Sequence, residues 1–171
     1  MKKLIACFVG AILAANFMSG CAGYQLGTTL PPGINNVYVP TFVNETTEPN
    51  IESQTTNAVI SEFQKDGSLA IKSKPEDADA VLDVVLTKYE IGPARFDRDS
   101  PTESVEYRLY IHVDLTLTRQ SDGEVVVQRK GVIGNTDFDR NGSLTAAKSS
   151  ALPDAAEHLA HNIVEAVVEY W

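Results

Sequence analysis

Between residues 105 and 119 the chain alternates without a break. Val105, Tyr107, Leu109, Ile111, Val113, Leu115 and Leu117 take the odd positions, and Glu106, Arg108, Tyr110, His112, Asp114, Thr116 and Thr118 take the even ones. Successive side chains on a strand point to opposite faces of the sheet. The pattern therefore predicts one long strand with a buried face and a wet face. At ~3.3 Å per residue such a strand spans roughly 50 Å, and its apolar side needs a covering layer along that length. A purely helical fold cannot supply this pattern, and a sheet buried on both faces would not tolerate it.

The neighbouring segments supply partners and cover. Ser121-Asp122-Gly123 is a hairpin turn, and residues 124–135 return as an antiparallel strand with Val125, Val127 and Ile133 expected inward. Gly131 and Gly134 suggest a bend or bulge there. Upstream, residues 81–91 are apolar at most positions and read as a central strand, broken by Gly92-Pro93. Residues 94–104 read as a polar hairpin loop. Residues 37–42 form a first strand, with Pro40 marking an edge or the end of its ladder. Residues 69–71 are a candidate short fifth strand.

Two helices complete the set. The first begins at Ile51 after Asn50 as its cap, places Ile51, Thr55, Ala58, Val59 and Phe63 on one face, and ends at Asp66-Gly67. The second covers residues 143–170 with an apolar stripe from Leu144 to Tyr170, and Pro153 stands inside it as a possible split. The expected fold is α+β: a two-layer sandwich with two helices on one face of a mostly antiparallel four-stranded sheet.

The start of the chain has a different character. Lys2 and Lys3 precede an apolar run that ends in Met18-Ser19-Gly20-Cys21. A positive end, an apolar core and a small-residue exit make an export signal, which is excluded from the fold. The cysteine after Ser19-Gly20 matches the site at which bacterial lipoproteins are cut and acylated, so residues 1–20 are expected to be a lipoprotein signal and Cys21 the lipid attachment site. Residues 21–36, with Gly23, Gly27, Pro31, Pro32 and Gly33, then form a tether, and residues 37–171 a single domain. Cys7 leaves with the signal and acylation occupies Cys21, so the mature chain has no disulfide and depends on its core.

Removing Lys2 and Lys3 takes the formal charge from -9 to -11. That balance disfavours nucleic acid, whose binding is driven by release of counterions from phosphates. It also disfavours anionic lipid heads. Membrane attachment must then come from acyl chains, at ~0.8 kcal/mol per buried CH2.

Catalytic patterns do not emerge. Gly-rich phosphate loops, His-Glu-x-x-His and Gly-x-Ser-x-Gly are missing from the sequence. His158 and His161 have ligand spacing, with Glu157 and Glu165 near, but polar residues on the solvent side of the last helix are much the better explanation. Tyr110, His112 and Asp114 form a row on alternate strand positions, roughly 6 to 7 Å apart, too far for a hydrogen-bonded relay. No enzyme and no cofactor are expected. The candidate contact residues are basic and aromatic: Arg95, Arg98 and Arg108 beside Phe96, Tyr107 and Tyr110, then Arg129, Lys130 and Arg140. Tyr110 and His112 add rings to the wet face, which suits an interface. Ordinary charge mixing with Asp97, Asp99, Glu103 and Glu106 is the competing explanation.

Taken in order, several short pieces resemble the LptE family of lipopolysaccharide-assembly lipoproteins. They are Gly20-Cys21, Gly23-Tyr24-Gln25-Leu26, Leu30-Pro31, Val37-Tyr38-Val39, Asp66-Gly67, Glu106-Tyr107-Arg108-Leu109, Asp122-Gly123, Thr136 to Asp139 and Ser143-Leu144-Thr145-Ala146. The resemblance implies two helices on one side of a four-stranded sheet. It further implies a non-enzymatic plug in the lumen of a large outer-membrane β-barrel (LptD-like), on the periplasmic side, that assists barrel assembly. Lipopolysaccharide is the implied ligand, with Arg95, Arg98 and Arg129-Lys130 aligning loosely with the family's basic contact positions. Ala22 after the cysteine is compatible with outer-membrane sorting. The alternative is a lipid-anchored periplasmic interaction protein of another envelope assembly, without lipopolysaccharide binding.

Overall fold

Strand β5 (Ser104–Arg119) is the axis of the molecule, as its alternation requires. In the computed structural model, which describes residues 33–96, 104–139 and 143–169, it pairs antiparallel with β4 (Ala80–Phe96) on one side and β6 (Val125–Asp139) on the other. Three short strands join in parallel. β1 (Asn36–Tyr38) pairs with the start of β4 and with β3 (Ala70–Lys72), and β2 (Val43–Asn44) pairs with β4 at Val85 and Leu86. The order β3-β1-β4-β5-β6, with β2 beside β4, makes an open six-stranded sheet. The fold is α+β as expected. The strand count exceeds the expected four because the 37–42 segment ends one ladder at Tyr38 and begins another at Val43, and because residues 70–72 do form a strand.

Two helices cover one face: α1 (Ile51–Asp66) and α2 (Leu144–Val168). Leu109, Ile111, Val113, Leu115 and Leu117 of β5 are buried beneath them, with Phe63 of α1 and Leu159 and Ile163 of α2 fully enclosed. The buried hydroxyls of α1 are satisfied. Thr55 Oγ1 donates to Ile51 O at 2.8 Å, and Thr56 Oγ1 both donates to Glu52 O at 2.6 Å and accepts from Phe42 N at 3.0 Å.

Several expectations need correcting, each for a physical reason. Gly92-Pro93 does not end β4, which continues to Phe96. β1 and β2 pair with β4 no further than Leu86, so Pro93 lies where β4 has become an edge, and its missing N–H costs no ladder bond there. Val125 and Ile133 do not turn inward; they are 52% and 38% exposed. Val127 is buried as expected, opposite Leu117, but register shifts at Leu117/Thr118 and Val113/Leu115 move the phase on either side of it, so that Val132 and Gly134 oppose core residues of β5 in place of Ile133. Gly131 occupies the second bulge with φ 66, where a side chain would be strained. Gly134 serves close approach: a Cβ there would lie 2.6 Å from Ala155 O and 2.7 Å from Leu159 Cα.

Pro153 does not split α2. It lies on the exposed side of the helix, as does Ser149, whose carbonyl loses its partner to the proline and faces water. Asn50 does precede Ile51, but it adopts φ 62 and makes no side-chain cap bond. The preceding loop is held instead by Asn44, whose Nδ2 donates to Glu48 O and Glu52 Oε2, both at 2.9 Å, while its Oδ1 accepts from Thr46 N at 2.9 Å. Gly67 ends α1 in the left-handed conformation as expected, with its N–H on Phe63 O.

Candidate functional site

The face of the sheet opposite the helices has no cover among the described residues. It carries the even positions of β5, those from Glu106 to Thr118 part-buried by their neighbours, and divides into two halves along the strands. The near half lies where the chain enters the domain. Asp79 fixes that entry: its Oδ2 accepts from Asn35 N at 2.9 Å and Asn36 N at 3.2 Å, and its own N–H donates to Asn36 Oδ1 at 2.8 Å. Here the cross-strand row Tyr38, Val81, Thr118 and Val125 runs over four strands. Asp83 and Thr116 form the next row, and Val43, Val85 and Asp114 the one after it. β-branched side chains in such rows favour strand and pack well on a pleated surface. Val43 is 56% exposed.

The far half is ionic. Lys88 Nζ lies 2.6 Å from Glu90 Oε2, and Glu90 Oε1 lies 3.2 Å from His112 Nε2. Arg108 binds Asp137 with two hydrogen bonds, Nη2 to Oδ2 at 2.6 Å and Nε to Oδ1. Arg95 Nε lies 3.3 Å from Glu106 Oε2. The hydrogen bond from Lys88, aided by His112, holds the Glu90 carboxyl below its usual range. Arg108 does the same to Asp137, and hydrogen bonds to Asp137 and then Tyr110 raise the Arg108 guanidinium further. The Tyr110 and His112 rings sit 6.3 Å apart, centroid to centroid.

The expected contact residues thus separate. Arg95, Arg108, Tyr110 and His112 share the uncovered face. Arg129 opposes Leu115 and so belongs to the helix side, while Lys130 lies in the bulge opposite Asp114, whose Oδ1 accepts from Gly131 N at 2.8 Å. Cys21, Arg98 and Arg140 lie outside the described residues, as do the signal and most of the tether. The acids that pair with the arginines, and the valine row of the near half, went unnoticed in the sequence. A count of phase along β4 would have exposed Val81 and Val85.

The helix side holds different chemistry. His158 Nδ1 lies 3.1 Å from both the amide nitrogen and the carbonyl oxygen of Asn135, so either tautomer finds a partner. His161 Nδ1 is 3.4 Å from Glu62 Oε1. Among the described residues no three His, Cys, Asp or Glu side chains gather as metal ligands do. Tyr89, beneath α2 and beside Glu48, has its hydroxyl buried without a partner; burial first and Glu48 second push its pKa well up. Lys148 stands 5.3 Å over its ring and 2.5 Å from Glu48. No described helix is long and apolar enough to cross a membrane.

A sheet sealed on one side, with an ion-paired half and a β-branched half on the other, defines a two-layer α+β domain with one presented sheet face. The model of the LptE lipopolysaccharide-assembly family matches residues 34–167, and the chain belongs to that family. Among solved structures, the hypothetical protein CT253 from Chlamydia trachomatis is similar with a TM-score of 0.57 and 10% identity, over 80% of this chain and 97% of that one. Protein XCC0632 from Xanthomonas campestris is similar with a TM-score of 0.52 and 14% identity, over 82% of this chain and 90% of that one. At such identity these two share the fold. No curated protein sequence matches the chain.

Proposed function

We propose that this chain is an outer-membrane lipoprotein, acylated at Cys21 and facing the periplasm, that serves as a non-enzymatic plug and assembly subunit of a β-barrel inserting lipopolysaccharide into the outer membrane. The observation that carries this is the uncovered sheet face on a domain of the lipopolysaccharide-assembly family. In this account the tether leads from the acyl chains to the Asp79 end of the domain, and the presented face meets the wall of the barrel.

The pairing of the arginines bears on the ligand. Arg108 is committed to Asp137 and Arg95 lies beside Glu106. A phosphate would have to displace a carboxylate already bonded in place, so these side chains favour docking to protein over direct capture of a lipopolysaccharide phosphate.

Affinity purification of the full-length protein from native membranes, with identification of what co-elutes, tests the proposal. A large outer-membrane β-barrel should be the main companion. Recovery of the protein with components of another envelope assembly and no barrel would replace this reading with the alternative. Cys21→Ser should release the protein from the membrane fraction; its retention there would remove the lipid anchor from the account.

A further inference from the structure

One helix face runs along the free edge of β6 and treats its two ends differently. Ser150, Asp154, His158 and Asn162 are spaced four residues apart on α2 and so follow one line along it, at ~6 Å per step. Strand residues that point the same way recur every second position, at ~6.8 Å. The two lines match. Asn162 Nδ2 donates to Ile133 O at 2.7 Å, and His158 meets the amide and carbonyl of Asn135 at 3.1 Å. Two side chains of α2 thereby satisfy the outward backbone groups that an edge strand exposes.

The register of β6 against β5 is unbroken from Val132 to Asp139, so the outward groups recur at Asp137 and Asp139. The matching helix positions are Asp154 and Ser150. Neither reaches the strand, and no described side chain or strand takes those groups. The space between is a cleft of about 380 Å³ lined by Phe138, Asp139, Ala147, Ser150, Ala151 and Asp154. Its floor is apolar, one wall is an open strand edge, and the charge on its helix wall is the exposed carboxylate of Asp154. Asp137 and Asp139 also line it, but they oppose Arg108 and Glu106 and so carry their carboxylates on the other face.

We propose that this cleft is a strand-addition site. It takes a short extended segment of a partner protein, which hydrogen-bonds to the backbone of Asp137 and Asp139 and carries a lysine or arginine against Asp154. Main-chain bonds supply the affinity in this mode and the side-chain pocket the selectivity. An open strand edge selects an extended peptide over a lipid, which has no backbone to pair, and the Asp154 carboxylate selects a basic side chain. Small residues at 147, 150 and 151 keep the cleft open where His158 and Asn162 fill it further on. The proposal rests on the reading of the chain as an interaction subunit, and adds a second contact on the side away from the presented face.

The test places a photo-crosslinking residue at Ser150, and separately at Val85 on the presented face, in the full-length protein in native membranes. The Ser150 position should give a protein adduct whose crosslinked segment contains lysine or arginine. Asp154→Lys should lower the yield of that adduct at least fivefold, with unchanged circular dichroism. Glu157→Lys, the same charge change one turn on, should leave it intact. Adducts at Val85 but none at Ser150, or lipid adducts at Ser150, would overturn the strand-addition site while leaving the interaction role standing. Absence of adducts at both positions would overturn the interaction role and the site with it.

Discussion

Strand β5 presents two surfaces that differ in everything except length. Its odd residues from Leu109 to Leu117 are sealed beneath α1 and α2, with Leu109, Ile111, Val113 and Leu117 fully buried. Its even residues carry threonines near the chain entry and an ion-paired network further out. The sealed surface is finished within the chain: its apolar area is already removed from water, and its packing sets the stability. The presented surface is unfinished. Its near half interleaves β-branched residues with the carboxylates of Asp83 and Asp114, which a partner must pair before it can exclude water there. Its far half would pay to desolvate each ion pair. The difference separates residues that fold the domain from residues that connect it.

The sharpest way to break that distinction is truncation on each surface. Ile111→Ala should destabilise the domain by about 2–5 kcal/mol through lost burial and the cavity left behind. Thr116→Ala, on the same strand facing the other way, should change stability by about 0.5 kcal/mol or less. Paired denaturant titrations measure both, and equal losses would erase the distinction. Gly134→Ala follows in size. Its added Cβ would meet the backbone of α2 at Ala155 and Leu159, and overpacking of this kind costs about 1–3 kcal/mol. A midpoint unchanged from the parent would show that α2 can shift away.

The pH dependence of the far half is the smallest effect. Asp137 and Glu90 have folded pKa values below their ordinary 3.8 and 4.5. Carboxylates lowered in this way stabilise the fold above their unfolded pKa, and the contribution is lost as pH falls through the folded value. The pairs are exposed and screened, so the loss should be slight and confined to pH below about 4.5. Asp137→Asn should flatten that part of a stability profile taken from pH 6 to pH 3. A profile as steep as the parent's would assign the acid sensitivity elsewhere.

How much of this was legible beforehand depended on whether the information was local. The alternation of β5, the apolar face of α1 and the Asp122-Gly123 turn are local, and each appears where expected. Val125 and Ile133 of β6 were misassigned as inward because two bulges shift its phase, and a bulge is fixed by what the partner strand does. β4 shows the same effect: its register shifts between Leu86 and Lys88, moving core-facing positions from Leu82, Val84 and Leu86 to Tyr89 and Ile91. Pro93 reads as a terminator until the end of β2 pairing makes that stretch an edge. At the site, Arg108, Tyr110 and His112 were visible from one strand's alternation. Asp137, which neutralises Arg108, lies on the next strand and could be assigned only with the register. The valine row of the near half was hidden similarly, because it spans four strands.

The central claim is that the presented sheet face is the surface a β-barrel covers. Photo-crosslinking from Val85 in native membranes, with a probe at Glu157 on the outer side of α2 as reference, tests it most directly. The account predicts a dominant adduct between the Val85 position and an outer-membrane β-barrel, in higher yield than from Glu157. A barrel adduct from Glu157 with none from Val85 would contradict it.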